Sequence, residues 1–405
     1  MDPSFQGESV LAETIASRIR AAVRNLADAK EQIKKEGIKG DTDDSLKSLL
    51  VGIVEKIEAQ IEFILQEIRE IRRDEAKRGR SDRVHRALEG FLFDVDLIRT
   101  TTLQIPTELY YLTKAALREL GHEDVKVVLI LEASLGTTNL SGNLKRLSEF
   151  FEDVLDYIDS DFPFYWIIFV PPSLIRTPLN WPLVVHEIGH ILERQKWQLV
   201  GKYYEYPIVP SLFDRDMKSY YAQEFQADFI AVSYFGPIFV RRLFAVYDTG
   251  EFKISLTHPP RKERFGAIAE TLEQMGFSSE ANDIRKKIEK EKVTIGSGPI
   301  EYLNEIRSET VVKLNESSCA YSRDDAEERK ARSKLDRFVI YTDDVRTLLN
   351  VADSVLQGKL QSVSDPTEKR NTERDFDYLL MDSIRLHYIK DLVQSASLNS
   401  NSPLS

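Results

Sequence analysis

Cysteine is nearly absent: Cys319 stands alone in 405 residues. A single thiol excludes an intramolecular disulfide and fits a reducing compartment. Cys319 lies in a polar stretch with no matched histidine close by in sequence, so a nucleophile role is not expected of it. An excess of basic charge is also missing. The formal net charge is −11, which argues against a general nucleic-acid-binding surface. Long apolar runs are lacking as well. The longest, Phe164 to Val170, falls far short of the roughly 20 residues that a membrane-spanning helix needs. The start, Met1-Asp2-Pro3-Ser4, is polar and acidic and carries no signal-peptide pattern. The expected location is therefore cytoplasmic, without glycosylation at Asn139 or Asn315. A phosphate cradle is absent too: Gly296-Ser297-Gly298-Pro299 follows no strand, and its proline removes one amide donor. No internal repeat is visible.

What is present suffices for two or three domains. Apolar residues make up 42% and charged residues 30%, the balance of a chain with a substantial core. Residues 8–35 read as one helix, with Ala12, Ile15, Ile19, Ala22, Leu26, Ala29 and Ile33 at three-four spacing. After a glycine- and aspartate-rich linker, Ser45 to Lys77 reads as a second helix. Its Leu50, Val54, Ile57, Ile61, Ile64, Ile68 and Ile71 form a heptad seam. An antiparallel hairpin is expected, with a coiled-coil homodimer, or a partner held by these helices, as the rival. The charge run Arg72 to Arg86 reads as a solvated helix end or loop. A helix is expected over Thr107 to Leu120, closed by Gly121. Val125 to Leu131 and Phe164 to Val170 read as buried strands, and Leu144 to Ile158 as a helix between them.

Histidine is scarce, six in all, yet two of them form a pattern. Val184-Val185-His186-Glu187-Ile188-Gly189-His190 is H-E-x-x-H in an apolar run that suits a helix, with Asn180 as its N-cap and Trp181-Pro182 opening it. Residues four apart share a helix face, so His186 and His190 can hold one Zn²⁺, with Glu187 beside them as a base for water. The bland reading is two histidines on a half-buried helix with Glu187 in solvent. Downstream, Glu224 and Asp228 are again four apart on a helical stretch, 218–235, ended by Gly236-Pro237. A hydrolytic zinc needs three protein ligands and one open position, and Glu224 can be the third. Asp228 can reach a ligand imidazole and fix its tautomer, or pair with Arg264; the sequence leaves both open. Between the two helices, Gln195 to Met217 is a long loop rich in tyrosine, suited to lining a substrate cleft.

A third piece follows at Thr257-His258-Pro259-Pro260, with Arg264 six residues after the histidine. H-E-x-x-H, E-x-x-x-D and T-H-P-P-x-x-x-R, in that order, resemble the M48 group of gluzincin metallopeptidases, which includes the CAAX prenyl protease and the HtpX-type heat-shock proteases. The resemblance covers about Trp181 to Met275. It implies His186, His190 and Glu224 as ligands of one zinc ion per chain and Glu187 as general base. It implies further that His258 lies near the substrate carbonyl and that Arg264 holds the site together electrostatically. Many members of that group carry membrane helices and this chain shows none, so a membrane setting and prenylated substrates do not carry over.

The expected fold class is mainly α with a small β-sheet (α+β): a zincin-like metallopeptidase core between helical flanks. The expected divisions are 1–104, an N-terminal helical hairpin or coiled coil; 105–278, the catalytic domain; 279–394, a C-terminal helical region; and 395–405, a disordered tail. The expected function is zinc-dependent endopeptidase cleavage of a protein or peptide, without nucleic acid or a membrane span. The alternative is a zinc-stabilised, non-catalytic or latent helical scaffold that binds a protein partner.

Overall fold

The computed structural model describes residues 3–38, 45–70, 75–101, 104–123, 125–132, 135–139, 150, 165–199, 217–248, 259–289 and 320–400. The fold is mainly α with a small sheet, as the sequence patterns indicate. The chain forms two compact units. The first takes residues 1–106 and 124–170, and the second takes 107–123 and 171–405. The strands therefore belong with the N-terminal helices, where the sequence reading had grouped them with the catalytic region. Periodicity shows which face of a strand is buried and is silent on which neighbour covers it.

In the first unit, α1 (Pro3–Glu36), α2 (Ser45–Glu70) and α3 (Glu75–Thr101) precede the sheet. Lys30 Nζ binds Glu58 at 2.6 Å and Lys34 Nζ binds Glu55 at 2.8 Å. The numbers run in opposite directions, so α1 and α2 are antiparallel. The expected seam residues Ile19, Ala22, Leu26, Ala29 and Ile33 are buried, and so are Leu50, Val54, Ile57 and Ile61. The hairpin is incomplete as an account, because α1 packs on α3 as well as on α2. Ala16 and Val23 are buried beside the seam as well. The charge run is not a loop from Glu75 onward: α3 passes through it. Val84, Leu88, Phe91, Val95 and Ile98 give that helix its buried stripe at alternating four-three spacing.

The sheet has the order β1–β3–β2. β1 (Lys126–Leu131) runs parallel to β3 (Tyr165–Val170), and β2 (Gly136–Asn139) runs antiparallel to β3. Val128 and Ile130 share one face of β1, and with Ile167 they join the core of the three helices. β2 was not expected: Gly-Thr-Thr-Asn is short and shows no alternation of apolar and polar residues. The helix expected over 144–158 lies outside the described residues.

The second unit opens with α4 (Thr107–Glu119). Its end is a Schellman turn: His122 N donates to Leu117 O at 2.9 Å and Gly121 N to Arg118 O at 3.0 Å, with Gly121 at φ +81°. After the short α5 (Pro172–Ile175) and a 3₁₀ turn (Pro178–Asn180) come α6 (Pro182–Leu199) and α7 (Met217–Phe235). α8 (Pro237–Asp248), α9 (Arg261–Gln274) and α10 (Ser278–Ile288) follow. α11 (Asp325–Asp336), α12 (Val345–Gln361) and α13 (Pro366–Ser400) complete the unit. α13 runs to Ser400, so most of the stretch 395–405 expected to be disordered is helical. Its Arg385 Nε reaches the buried Glu108 of α4 at 2.5 Å. Among the described residues no helix is long and apolar enough to cross a membrane.

The corner between α7 and α8 is held by α12. Asn350 Oδ1 accepts from Ile238 N at 2.9 Å, while Nδ2 donates to Phe235 O at 2.6 Å and to Arg346 O at 2.9 Å. Helix ends leave backbone groups without intrahelical partners, and this one carboxamide satisfies an end on each side of Gly236. One turn further along α12, Asp353 pairs with Arg241 and Arg242 of α8.

Candidate metal centre

The two histidines are set by how α6 begins. Trp181 is fully buried and its Nε1 donates to Leu174 O at 3.1 Å, which fixes the chain just before the helix. Pro182 takes the first helical position, where the missing N–H has no partner to lose. Asn180 is not the cap. It closes the 3₁₀ turn, and Trp181 continues that turn into the helix at φ −61°. The helix then places His186 and His190 on one face, with their rings 4.6 Å apart and nearly perpendicular.

α7 brings the carboxylates. The two helices can lie close because residue 189 is glycine: a Cβ built there would meet Ala227 Cα at 2.7 Å. Ala227 itself lies between Glu224 and Asp228. His186, Glu187, His190 and Glu224 have relative exposures of 6, 6, 8 and 8%. Glu187 is thus buried, against the bland reading that left it in solvent.

The distances describe one small polyhedron. His186 Nε2 and His190 Nε2 are 3.1 Å apart. Glu224 Oε2 lies 3.4 Å from the first and Glu224 Oε1 lies 3.4 Å from the second. A tetrahedral zinc with bonds of about 2.0–2.1 Å requires its ligand atoms to be about 3.3–3.4 Å apart. Two ring nitrogens at 3.1 Å cannot both present lone pairs to each other, so one ring carries its proton on Nε2 or the two share a cation. His186, His190 and Glu224 are the group able to hold a metal ion among the described residues.

The surroundings orient these three. Asp228 Oδ1 is 3.0 Å from His186 Nδ1, an ion-pair distance without the alignment of an N–H hydrogen bond, and this charge favours the imidazole with Nε2 turned towards Glu224. Asp228 also receives two hydrogen bonds from Arg264, Nε at 2.5 Å and Nη2 at 2.7 Å. Arg264 Nη1 is 3.4 Å from Glu224 Oε2. The alternatives left open for Asp228 are both realised: Arg264 engages both of its oxygens, and Oδ1 also lies beside His186 Nδ1. Phe239 of α8 lies parallel to the His186 ring, centroids 6.3 Å apart. His190 Nδ1 has no hydrogen-bond partner among the described residues.

Charge follows from this geometry. Burial opposes a charged imidazolium, but hydrogen bonds and charge from Asp228 and Glu224 outweigh it and push metal-free His186 up to about 10. Burial likewise opposes the Glu224 carboxylate. His186, His190 and Arg264 overcome that and hold it well below the usual range. Asp228 is lowered in the same way: burial works against its charge, and Arg264 and His186 reverse the balance.

Five sequence-level candidates thus converge: His186, His190, Glu224 and, behind them, Asp228 with Arg264. His258 and the tyrosine-rich stretch 200–216 lie outside the described residues. Gly189, Phe239 and Asn350 were missed. Gly189 left a trace, because a glycine inside an apolar helical run, three residues after a ligand, signals close packing. Compared with family models, with curated proteins and with solved structures, the chain finds no match.

Proposed function

We propose that this chain is a zinc-dependent endopeptidase of the gluzincin kind, acting on peptide bonds. The observation that carries the reading is that His186 Nε2 and His190 Nε2 lie 3.1 Å apart and each lies 3.4 Å from one of the two oxygens of Glu224, close enough for the three residues to share one ion. Three protein ligands leave the fourth corner for water or substrate, as catalytic zinc requires and structural zinc does not. Zinc bound there supplies Lewis acidity, which favours water attack at neutral pH and polarises a carbonyl. Imidazole with a carboxylate suits zinc best among the common divalent ions.

The chain's own residues do the rest. Glu187 follows His186 on α6 and is the carboxylate free of the ligand set, so it takes the proton of the attacking water and delivers it to the leaving amine. Asp228 holds His186 in one tautomer, and Arg264 balances the buried carboxylates. Burial of Glu187 supports a base over a scaffold residue, because a structural site gains nothing from another buried acid.

The test is Glu187→Gln, with zinc stoichiometry and peptide-library hydrolysis measured on the same preparation. Turnover falls about 10²- to 10⁴-fold, the usual contribution of a general base, while one zinc per chain is retained. Equal turnover in variant and wild type, or no hydrolysis by the zinc-loaded wild type, overturns the peptidase reading and leaves the scaffold.

A further inference from the structure

α9 and α10 pack against each other, and an open pocket of about 570 Å³ lies between the first turn of α9 and the last turns of α10. Lys262, Asn282, Arg285, Lys286, Ile288 and Glu289 line it. Three cations against one carboxylate are a local reversal on a chain whose formal net charge is −11. Their sequence neighbours Arg261 and Lys287 both lie over the Phe244 ring, each 5.2 Å from its centroid. Phe244 in turn stacks on Phe265 of α9, centroids 3.6 Å apart.

Ordinary helix chemistry explains part of this. Arg285 and Lys286 suit the negative end of α10. Lys262 stands in the first turn of α9, where the helix dipole disfavours a cation. The contacts of the α10 cations are exposed. Arg285 donates to Glu273 and, at 3.2 Å, to Asn282 Oδ1, while Lys286 Nζ is 3.8 Å from Asp283. The side chains of Lys286 and Asp283 are 76 and 68% exposed. Exposed pairs of this kind are worth little, so an incoming carboxylate can replace them.

The floor decides what kind of anion fits. Ile288 is buried, and Lys262 and Arg285 are partly buried, so alkyl stems form much of the wall. A lone small anion needs donors that converge on one point. Cations spread around an apolar floor suit acidic side chains spaced along a peptide. Lys262 and Arg264 are two positions apart on α9 and leave it on opposite sides. The pocket is thus at least about 10–12 Å from the histidine–carboxylate centre, or about four residues of extended chain.

We propose that this pocket docks an acidic segment of the peptide substrate, away from the bond that is cut. The proposal rests on the peptidase reading and deepens it by naming the substrate class. Lys262, Arg285 and Lys286 receive the acidic side chains, and the Asn282 amide adds a hydrogen bond. Glu289 opposes the same ligand, so neutralising it strengthens docking.

The test compares full-length wild type, the double variant Lys262→Glu with Lys286→Glu, and Glu289→Gln. Each meets two fluorescent peptide pools of equal length, one acidic and one neutral. Anisotropy reads binding at low and high salt, and hydrolysis by the zinc-loaded protein gives kcat and KM. Wild type binds the acidic pool more tightly, an advantage that high salt removes. The double variant raises KM for the acidic pool about tenfold, with kcat and the neutral pool unchanged. Glu289→Gln lowers that KM. If wild type binds both pools equally, or if the double variant loses as much on the neutral pool, the proposal is wrong and the peptidase reading stands. Displacement of the acidic pool by millimolar inorganic phosphate also overturns it, since the pocket then takes a small anion. If the acidic pool binds, the double variant abolishes that binding and no peptide is cut, the peptidase reading fails and the docking site stands. Should the double variant not fold, the exposed single change Lys286→Glu and Glu289→Gln still decide.

Discussion

Gly189 and Ala227 touch backbone to backbone across the two helices that carry His186, His190 and Glu224. The β-carbon missing from Gly189 would fall 2.7 Å from Ala227 Cα and 3.0 Å from Ala227 Cβ. No side-chain rotation relieves that contact, so the separation of α6 and α7 depends on a hydrogen atom at position 189.

The first prediction follows. Gly→Ala in a helix interior ordinarily stabilises by about 1 kcal/mol. Here the overpacking cost of about 1–3 kcal/mol wins. Gly189→Ala should lower the urea midpoint and weaken zinc binding by about tenfold or more, measured by competition with a chromophoric chelator. Unchanged affinity would mean that the ligand triangle tolerates wider helices.

Asp228→Asn keeps the shape and removes the charge that faces both His186 Nδ1 and Arg264. Losing such an outer partner typically costs 10- to 100-fold in metal affinity. The same chelator competition reads it, and a change confined to melting temperature would reduce Asp228 to a packing role.

Asn350→Ala removes three hydrogen bonds at the corner between α7 and α8 and leaves Ile238 N and Phe235 O buried without their partner. Unsatisfied buried groups cost about 1–3 kcal/mol each, so a loss of roughly 2–4 kcal/mol is expected from urea unfolding. A loss under 1 kcal/mol would show that water replaces the carboxamide.

The pH dependence of stability has a marker outside the histidine–carboxylate centre. Burial, with Glu373 helping and Arg242 opposing, raises Asp377 to about 7. Its carboxyl titrates near 3.9 when unfolded. The folded state therefore holds the extra proton between these values. The stabilisation is complete below the lower one and disappears as pH rises through 7. Asp377→Asn should match wild type near pH 4 and exceed it at pH 8, by roughly 1–2 kcal/mol once partial exposure is allowed for. Urea midpoints at both pH values check this, and an advantage that shrinks with rising pH contradicts it.

The ligand set was legible because two independent four-residue spacings, 186 to 190 and 224 to 228, must each share a helix face. Their convergence was not, since no periodicity says that α7 lies against α6; that information sits in Gly189 and Ala227, a match of small residues 38 positions apart. Helices α1 and α2 were legible from their seams. The addition of α3 was obscured by charge, because Arg78, Arg80 and Arg83 mask the stripe beginning at Val84. β2 escaped because its pairing with β3 is decided by the neighbouring strand and not by its own Gly-Thr-Thr-Asn. The role of Asn350 was out of reach, since its partners stand more than a hundred positions earlier.

The unit that holds the ligands is discontinuous, and Glu108 near its beginning is bonded to Arg385 near its end. During synthesis, both histidines leave the ribosome before α9, whose Arg264 completes their surroundings. The segment 124–170 interrupts the unit that contains them, so no single cut in the gene yields a fragment that owns that whole unit and nothing else.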